Sequence, residues 1–296
     1  MKDFSSLPTE QANPASRDLD RLPLKKLISL MNREDARPAQ AVRRVMPDIA
    51  RAVGLIVGAL KKGGRLFLVG AGTSGRLCVM EAAECPPTFN TPPEWVQALM
   101  AGDKAAVFRS REGAEDNALE AERRIRRKLK AGDVTVGVAA SGVTPFVLSA
   151  LMETRRRRGH TVLVTCNPNA GQRSLAEVVI APAVGPEILA GSTRLKAGTA
   201  CKMVLNMLTT LSMVRLGKVY RHWMVDLQPK SLKLKARGTR LIQLLGRVSE
   251  KEAANYLKKA RGRVKTAIVM ARNGISRLEA VSRLRRRGGF LHKVLK

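Results

Sequence analysis

Apolar residues recur first at helical spacing and then in strand-length runs. Residues 23–34 carry Leu24, Leu27, Ile28 and Met31 three and four apart, which predicts a short helix. A longer helix is predicted over about 39–61. There Val42, Val45, Met46, Ile49, Val53, Ile56, Val57 and Leu60 form one stripe, and Gly63-Gly64 ends it. The middle of the chain alternates between short and long elements. Apolar runs at 65–69, 95–100, 134–139, 161–165 and 178–184 are mostly separated by helix-length stretches at 74–84, 115–130 and 145–157. Strands without strict alternation, interleaved with helices, predict a doubly wound α/β domain whose parallel sheet is buried on both faces. Residues 192–216 are apolar on nearly every side, as in a helix enclosed by the core or by a partner subunit. Around 226–240 the chain turns basic and polar, which marks a boundary. Short helices are predicted beyond it at 239–246, 249–260, 263–273 and 275–287, with Ser249 and Glu252 spaced as a capping box. The expected organisation is an N-terminal helical segment (1–62), an α/β domain (63–228) and a basic helical module (229–296).

The chain has 296 residues, 45% hydrophobic and 26% charged, which excludes wholesale disorder. No apolar run approaches the length of a membrane span, and the opening MKDFSSLPTEQANPAS lacks the apolar core of a signal peptide. A soluble cytoplasmic protein without membrane contact is expected. The four cysteines, at 78, 85, 166 and 201, have neither zinc-site spacing nor histidine partners, and fit a reducing compartment. The formal charge is +30, and 20 basic against 3 acidic residues fall between Pro229 and Lys296. Such a field attracts polyanions. The basic residues sit among helix-spaced apolar ones, however, as on a solvated helix surface. DNA or RNA binding is therefore expected to be independent of sequence and to fall steeply with salt in a titration series. Aromatics at 3% are too few for base-stacking platforms.

The strongest local motif is Leu66-Phe-Leu-Val-Gly-Ala-Gly-Thr-Ser-Gly-Arg76, an apolar strand, a glycine-rich turn and a helix start. Gly70, Gly72 and Gly75 allow close backbone approach, and Thr73 and Ser74 offer hydroxyls where exposed N–H groups and the helix dipole favour an anion. The spacing is that of a dinucleotide loop, but no acidic residue closes a second strand about 20 residues on to hold a ribose. A terminal phosphate suits it better. The same pattern returns at Ser141-Gly142-Val-Thr144-Pro and before the long helix at Ser192-Thr193. Each could be a simple helix cap. Taken together, Gly72, Thr73, Ser74, Gly75, Ser141, Gly142, Thr144, Ser192 and Thr193 are expected to form one concave site beyond the strands' carboxyl ends. The acidic segments at Glu81–Glu84 and Glu112–Asp116 supply carboxylates for acid/base work, although any one glutamate alone reads equally as a salt bridge or cap.

GAGTSGR, AECPPTFNTPPE, EGAEDN, VGVAASGVTP, TCNP, VGPEILAGSTRLKAGTA, KMVLNMLTT and MVDL closely resemble the N-acetylmuramic acid 6-phosphate etherases, which are sugar-isomerase-type (SIS) proteins. The resemblance runs in order from about residue 10 to the final GGFLHKVL. It implies a three-layer α/β sandwich with a five-stranded parallel sheet and a small C-terminal helical module similar to ubiquitin-associated domains. It also implies a homodimer with the active site near the subunit interface, a small-molecule sugar phosphate as substrate, and no metal or nucleotide cofactor. Carried over onto this chain, the family's glutamates fall on Glu84, within AECPPT, as proton donor and on Glu115, within EGAED, as the second acid/base. The chain departs from the family at Val143 (usually arginine), Cys78 (usually glycine), Glu81 (usually aspartate) and Asn90 (usually glycine). Val143 and Cys78 are expected to line the pocket. The same architecture is used by sensors such as the glucokinase regulatory protein. A non-catalytic sugar-phosphate sensor and a basic nucleic-acid-binding accessory are thus the alternative readings.

Overall fold

A computed structural model describes residues 4–170 and 174–295. Its contacts divide the chain into two units. One takes in the chain up to Ala82 together with Glu94–Thr209, and the other Ala83–Pro93 together with Thr210–Lys296. Two helices, α4 and α8 below, contribute residues to both.

The first unit begins with helices α1 (Leu24–Asp35), α2 (Arg37–Arg44) and α3 (Met46–Lys61). The single helix expected over 39–61 is thus broken at Val45, whose backbone leaves the helical region (φ −107°, ψ 14°). Pro47 is the cause: it has no N–H to give and its ring crowds the carbonyl four residues back, so it is tolerated only in a first turn.

The sheet follows as β1 (Leu66–Gly70), β2 (Val96–Met100), β3 (Val134–Val138), β4 (His160–Val164) and β5 (Val178–Ile180), all parallel, in the order β2-β1-β3-β4-β5. Helices α4 (Gly72–Phe89), α5 (Asp103–Phe108), α6 (Ala118–Lys128) and α7 (Pro145–Arg156) connect the strands, and α8 (Lys196–Arg215) comes after β5. Strands β1 and β3 are buried at every position, which is why their sequences do not alternate. Phe67, Val69 and Leu99 pack with Ile125 of α6 and Phe146 of α7, while α3 contacts β3 and β5. This is the layered α/β class expected, with helices covering the parallel sheet.

Strand order reverses between β1 and β3: the chain moves outward to β2 from one and to β4 and β5 from the other. In open α/β sheets that switch point leaves a crevice beyond the strand ends. The loops entering it are the glycine loop after β1 and the Ser-Gly-x-Thr loop after β3.

Gly75 sets how closely α4 approaches the sheet. A Cβ there would lie 2.6 Å from Met100 Cγ and 2.8 Å from the Gly70 carbonyl oxygen. Gly75→Ala should therefore cost about 1–3 kcal/mol in urea unfolding. A neutral substitution would show that α4 can shift without loss.

In the second unit, α9 (Leu232–Gly246), α10 (Glu250–Lys259), α11 (Val264–Asn273) and α12 (Arg277–Arg286) pack around Ile242, Ala253, Ile268, Ala280 and Leu291. Ser249 and Glu252 form the expected capping box. The MVDL motif serves this core: Val225 and Leu227 are buried in it, and Asp226 pairs with Lys265 at 3.0 Å and Lys218 at 3.1 Å. Burial alone would raise the Asp226 carboxyl, but the two ammonium groups outweigh it and hold the pKa below the usual carboxylate range. Among the described residues no helix is long and apolar enough to cross a membrane. The four cysteines are unbridged and buried.

Candidate active site

A cavity of about 230 Å³ opens at the switch point. Gly72, Thr73 and Ser74 line it from the first turn of α4, and Ser141 and Thr144 from the loop after β3. Gly191 and Thr193 enter from the loop before α8, and Glu115 from the loop after α5. Segments widely separated in sequence therefore bring hydroxyls to one concavity. Among the described residues its lining holds no lysine or arginine, so an anion there would rest on N–H groups, hydroxyls and the α4 dipole.

The hydroxyls of the later two segments are not consumed as helix caps. Thr144 stands at the N-cap of α7, yet its side chain makes no capping hydrogen bond, and Pro145 removes one of the N–H groups that would need it. The start of α8 is capped by Glu187, whose carboxylate accepts from Lys196 N–H at 3.0 Å and Ala197 N–H at 2.8 Å. Burial nonetheless pushes the Glu187 carboxyl above its ordinary pKa. Ser192 and Thr193 are thus not the cap of that helix.

The loop after β3 is shaped by the TCNP segment at the end of β4. Thr165 Oγ1 donates to Ala140 O at 3.1 Å, and Asn167 Nδ2 donates to Ser141 O at 3.1 Å. Gly142 has φ +78°, and a Cβ there would sit 2.8 Å from Ala170 Cβ. It is required for the turn, and the cavity is lined by its neighbours instead. The same holds for Gly75, which packs α4 onto β1, while Ser192 turns back on Leu189 O at 3.0 Å. None of these three contributes to the lining.

Glu115 lies in a 3-10 turn, Ala114–Asp116, ahead of α6, where a helix from 115 was expected. Asn117 starts that helix by accepting from Glu120 N–H at 3.0 Å. Arg76 steadies the segment from beneath, donating to Val107 O at 2.8 Å and Ala106 O at 2.9 Å at the end of α5. The exposed carboxylate of Glu115 is presented on a loop whose approach is fixed by a guanidinium from the glycine motif.

Glu84 is exposed in α4, more than three helical turns beyond Gly72, and is not among the residues lining this cavity. Glu81 is buried, and its carboxylate accepts from the Thr209 hydroxyl. Cys78 and Val143, expected at the pocket, do not line it. Cys78 is fully buried within the fold, where burial first and the neighbouring Cys201 and Glu81 second push its thiol pKa well up.

Two lining residues with polar side chains were not anticipated. Thr9 and Glu10 reach the cavity from the N-terminal segment. Their only sequence signal was position: a Thr-Glu pair near the start of the recognised stretch, with no strand or helix pattern around it.

Residues 48–155 match the family model of the glucokinase regulatory protein N-terminal SIS domain. A curated N-acetylmuramic acid 6-phosphate etherase of Symbiobacterium thermophilum is 48% identical over 92% of this chain and 91% of its own. Those of Geobacillus thermodenitrificans and Salmonella dublin are 46% and 44% identical, covering 98% and 99% of both chains. Among solved structures, a phosphoheptose isomerase from Francisella tularensis aligns with TM-score 0.51 at 16% identity, over 64% of this chain and 98% of that one. Its likeness is one of fold.

Proposed function

The chain belongs to the N-acetylmuramic acid 6-phosphate etherase family, and from that premise we propose how its cavity removes lactate from the sugar. The substrate's phosphate rests on the first turn of α4 and the hydroxyls of Thr73, Ser74, Ser141, Thr144 and Thr193. The observation that carries the reading is that Glu115 lines the same cavity as these hydroxyls, so a sugar anchored by its phosphate extends toward a carboxylate.

In the open-chain sugar the carbon-1 aldehyde acidifies the hydrogen on carbon 2. Glu115 takes that proton, a double bond forms between carbons 2 and 3, and the bond from carbon 3 to the ether oxygen breaks. Glu84, as the acid, protonates that oxygen and lactate leaves. Water then adds at carbon 3 and a proton returns to carbon 2, giving N-acetylglucosamine 6-phosphate. The reaction is thus that of a carbon–oxygen lyase followed by hydration. Each positioned proton transfer supplies about 10²–10⁴-fold.

Because Glu84 is exposed and is not one of the lining residues, we assign it to the cavity of a second copy in a homodimer. The apolar α8 helix supports such an assembly: Leu211 and Val214 near its end are exposed at 43% and 38%. The reading places the enzyme in the cytoplasm, in amino-sugar recycling. The deciding assay is incubation with N-acetylmuramic acid 6-phosphate and enzymatic measurement of lactate. Stoichiometric lactate supports the reading; tight sugar-phosphate binding without lactate would make the protein a sensor.

A further inference from the structure

We propose that Glu10 is a substrate-contacting carboxylate of this cavity, accepting hydrogen bonds from the sugar's hydroxyl groups; the identity of the sugar rests on the etherase reading. Glu10 and Glu115 are the two carboxylates lining the cavity, and no lysine or arginine among its described lining neutralises either. A carboxylate beside a phosphate cradle repels the phosphate. It is useful only where the ligand presents donors, and the hydroxyls of a sugar are donors. Hydrogen bonds to an ionised acceptor are the stronger kind.

The side chain is held in place. Its Oε1 accepts from the Thr9 hydroxyl at 3.2 Å, and its Oε2 lies 3.4 Å from where a Cβ on Gly191 would stand. The carboxylate therefore rests against the loop that also supplies Thr193. The segment carrying it is fastened to that loop at several points. Gly191 N–H donates to Thr9 O at 3.0 Å, and Asn13 Nδ2 donates to Pro186 O at 3.1 Å and Glu34 Oε2 at 2.8 Å. Lys196 Nζ completes the network, donating to Pro186 O at 2.6 Å and to the Glu34 carboxylate. Lys196, Glu34 and Asn13 are 0%, 1% and 6% exposed. A buried ion pair is a poor source of stability compared with apolar packing, and its best-attested use is to specify one arrangement. The arrangement specified here brings residues 9–13 against the loop at 186–196, with Thr9 and Glu10 at the cavity.

The test compares two probes on the full chain by calorimetry: N-acetylglucosamine 6-phosphate, which has sugar hydroxyls, and inorganic phosphate, which has no sugar. Glu10→Gln keeps shape and removes charge. It should weaken sugar-phosphate binding, and raise KM for N-acetylmuramic acid 6-phosphate, by about ten- to a hundredfold. Phosphate affinity should not fall, because the cradle of hydroxyls is untouched and a repelling charge has been removed. Unchanged sugar-phosphate affinity would overturn the proposal. So would a parallel loss of phosphate affinity, which would mean the loop had merely loosened. If the wild-type chain releases no lactate but Glu10→Gln still selectively weakens the sugar phosphate, the etherase reading fails and the contact stands.

Discussion

Replacing Glu115 by glutamine should lower lactate release by at least about a hundredfold and stop exchange of the carbon-2 hydrogen with deuterated water. An amide of the same shape keeps the cavity but cannot take the proton. Continued exchange in that variant would place the base elsewhere. Glu84→Gln should lose lactate release to a similar extent, since the ether oxygen then leaves without a proton. Mixing the two variants adds a sharper result. If Glu84 serves the cavity of the second copy, a dimer of one chain of each kind holds one complete pair and one doubly defective pair. Randomly exchanged mixtures should then regain about a quarter of wild-type activity. No recovery in a mixture shown to contain mixed dimers would place both carboxylates on one chain.

Lys196→Met should destabilise the protein by about 3–5 kcal/mol in urea unfolding, because it leaves the buried Glu34 carboxylate without its main counter-charge. Pairing it with Glu34→Leu should restore much of the loss, since two apolar side chains can fill a buried ion-pair site at little cost. If the single variant is as stable as wild type, the ion pair does not hold the N-terminal segment. Acid should weaken the same contact. Burial would raise the Glu34 carboxyl, but hydrogen bonds from Lys196 and Asn13 outweigh it, and the pKa lies below its ordinary value. A depressed carboxyl contributes stability that is fully present above the unfolded-state pKa. That stability is lost as pH falls through the folded value. Acid unfolding of Glu34→Gln should therefore be shallower than that of wild type below about pH 4.5.

The sheet was legible because burial on both faces leaves continuous apolar runs, and all five runs became strands. The break at Val45 was hidden because a helical stripe passes through a proline in a first turn without losing its period. At the cavity, strand-end hydroxyls were readable as phosphate ligands or as caps. What decides between them is the α8 cap at Glu187, a contact that spacing does not reveal. Gly75 and Gly142 looked like ligand-binding glycines because close backbone packing and close ligand approach demand the same residue. Glu10 was out of reach for the opposite reason. It comes from an irregular segment, and long-range contacts, the Asn13–Glu34–Lys196 network and the Gly191–Thr9 hydrogen bond among them, bring it to the site.

The central claim, that lactate leaves by elimination and that water then replaces it on carbon 3, is tested most directly by running the reaction in deuterated water enriched in oxygen-18. Mass spectrometry should find unlabelled lactate ether oxygen, and one heavy oxygen on carbon 3 and one deuterium on carbon 2 of N-acetylglucosamine 6-phosphate. Heavy oxygen in the lactate hydroxyl, hydrogen retained on carbon 2, or no lactate at all, would contradict it.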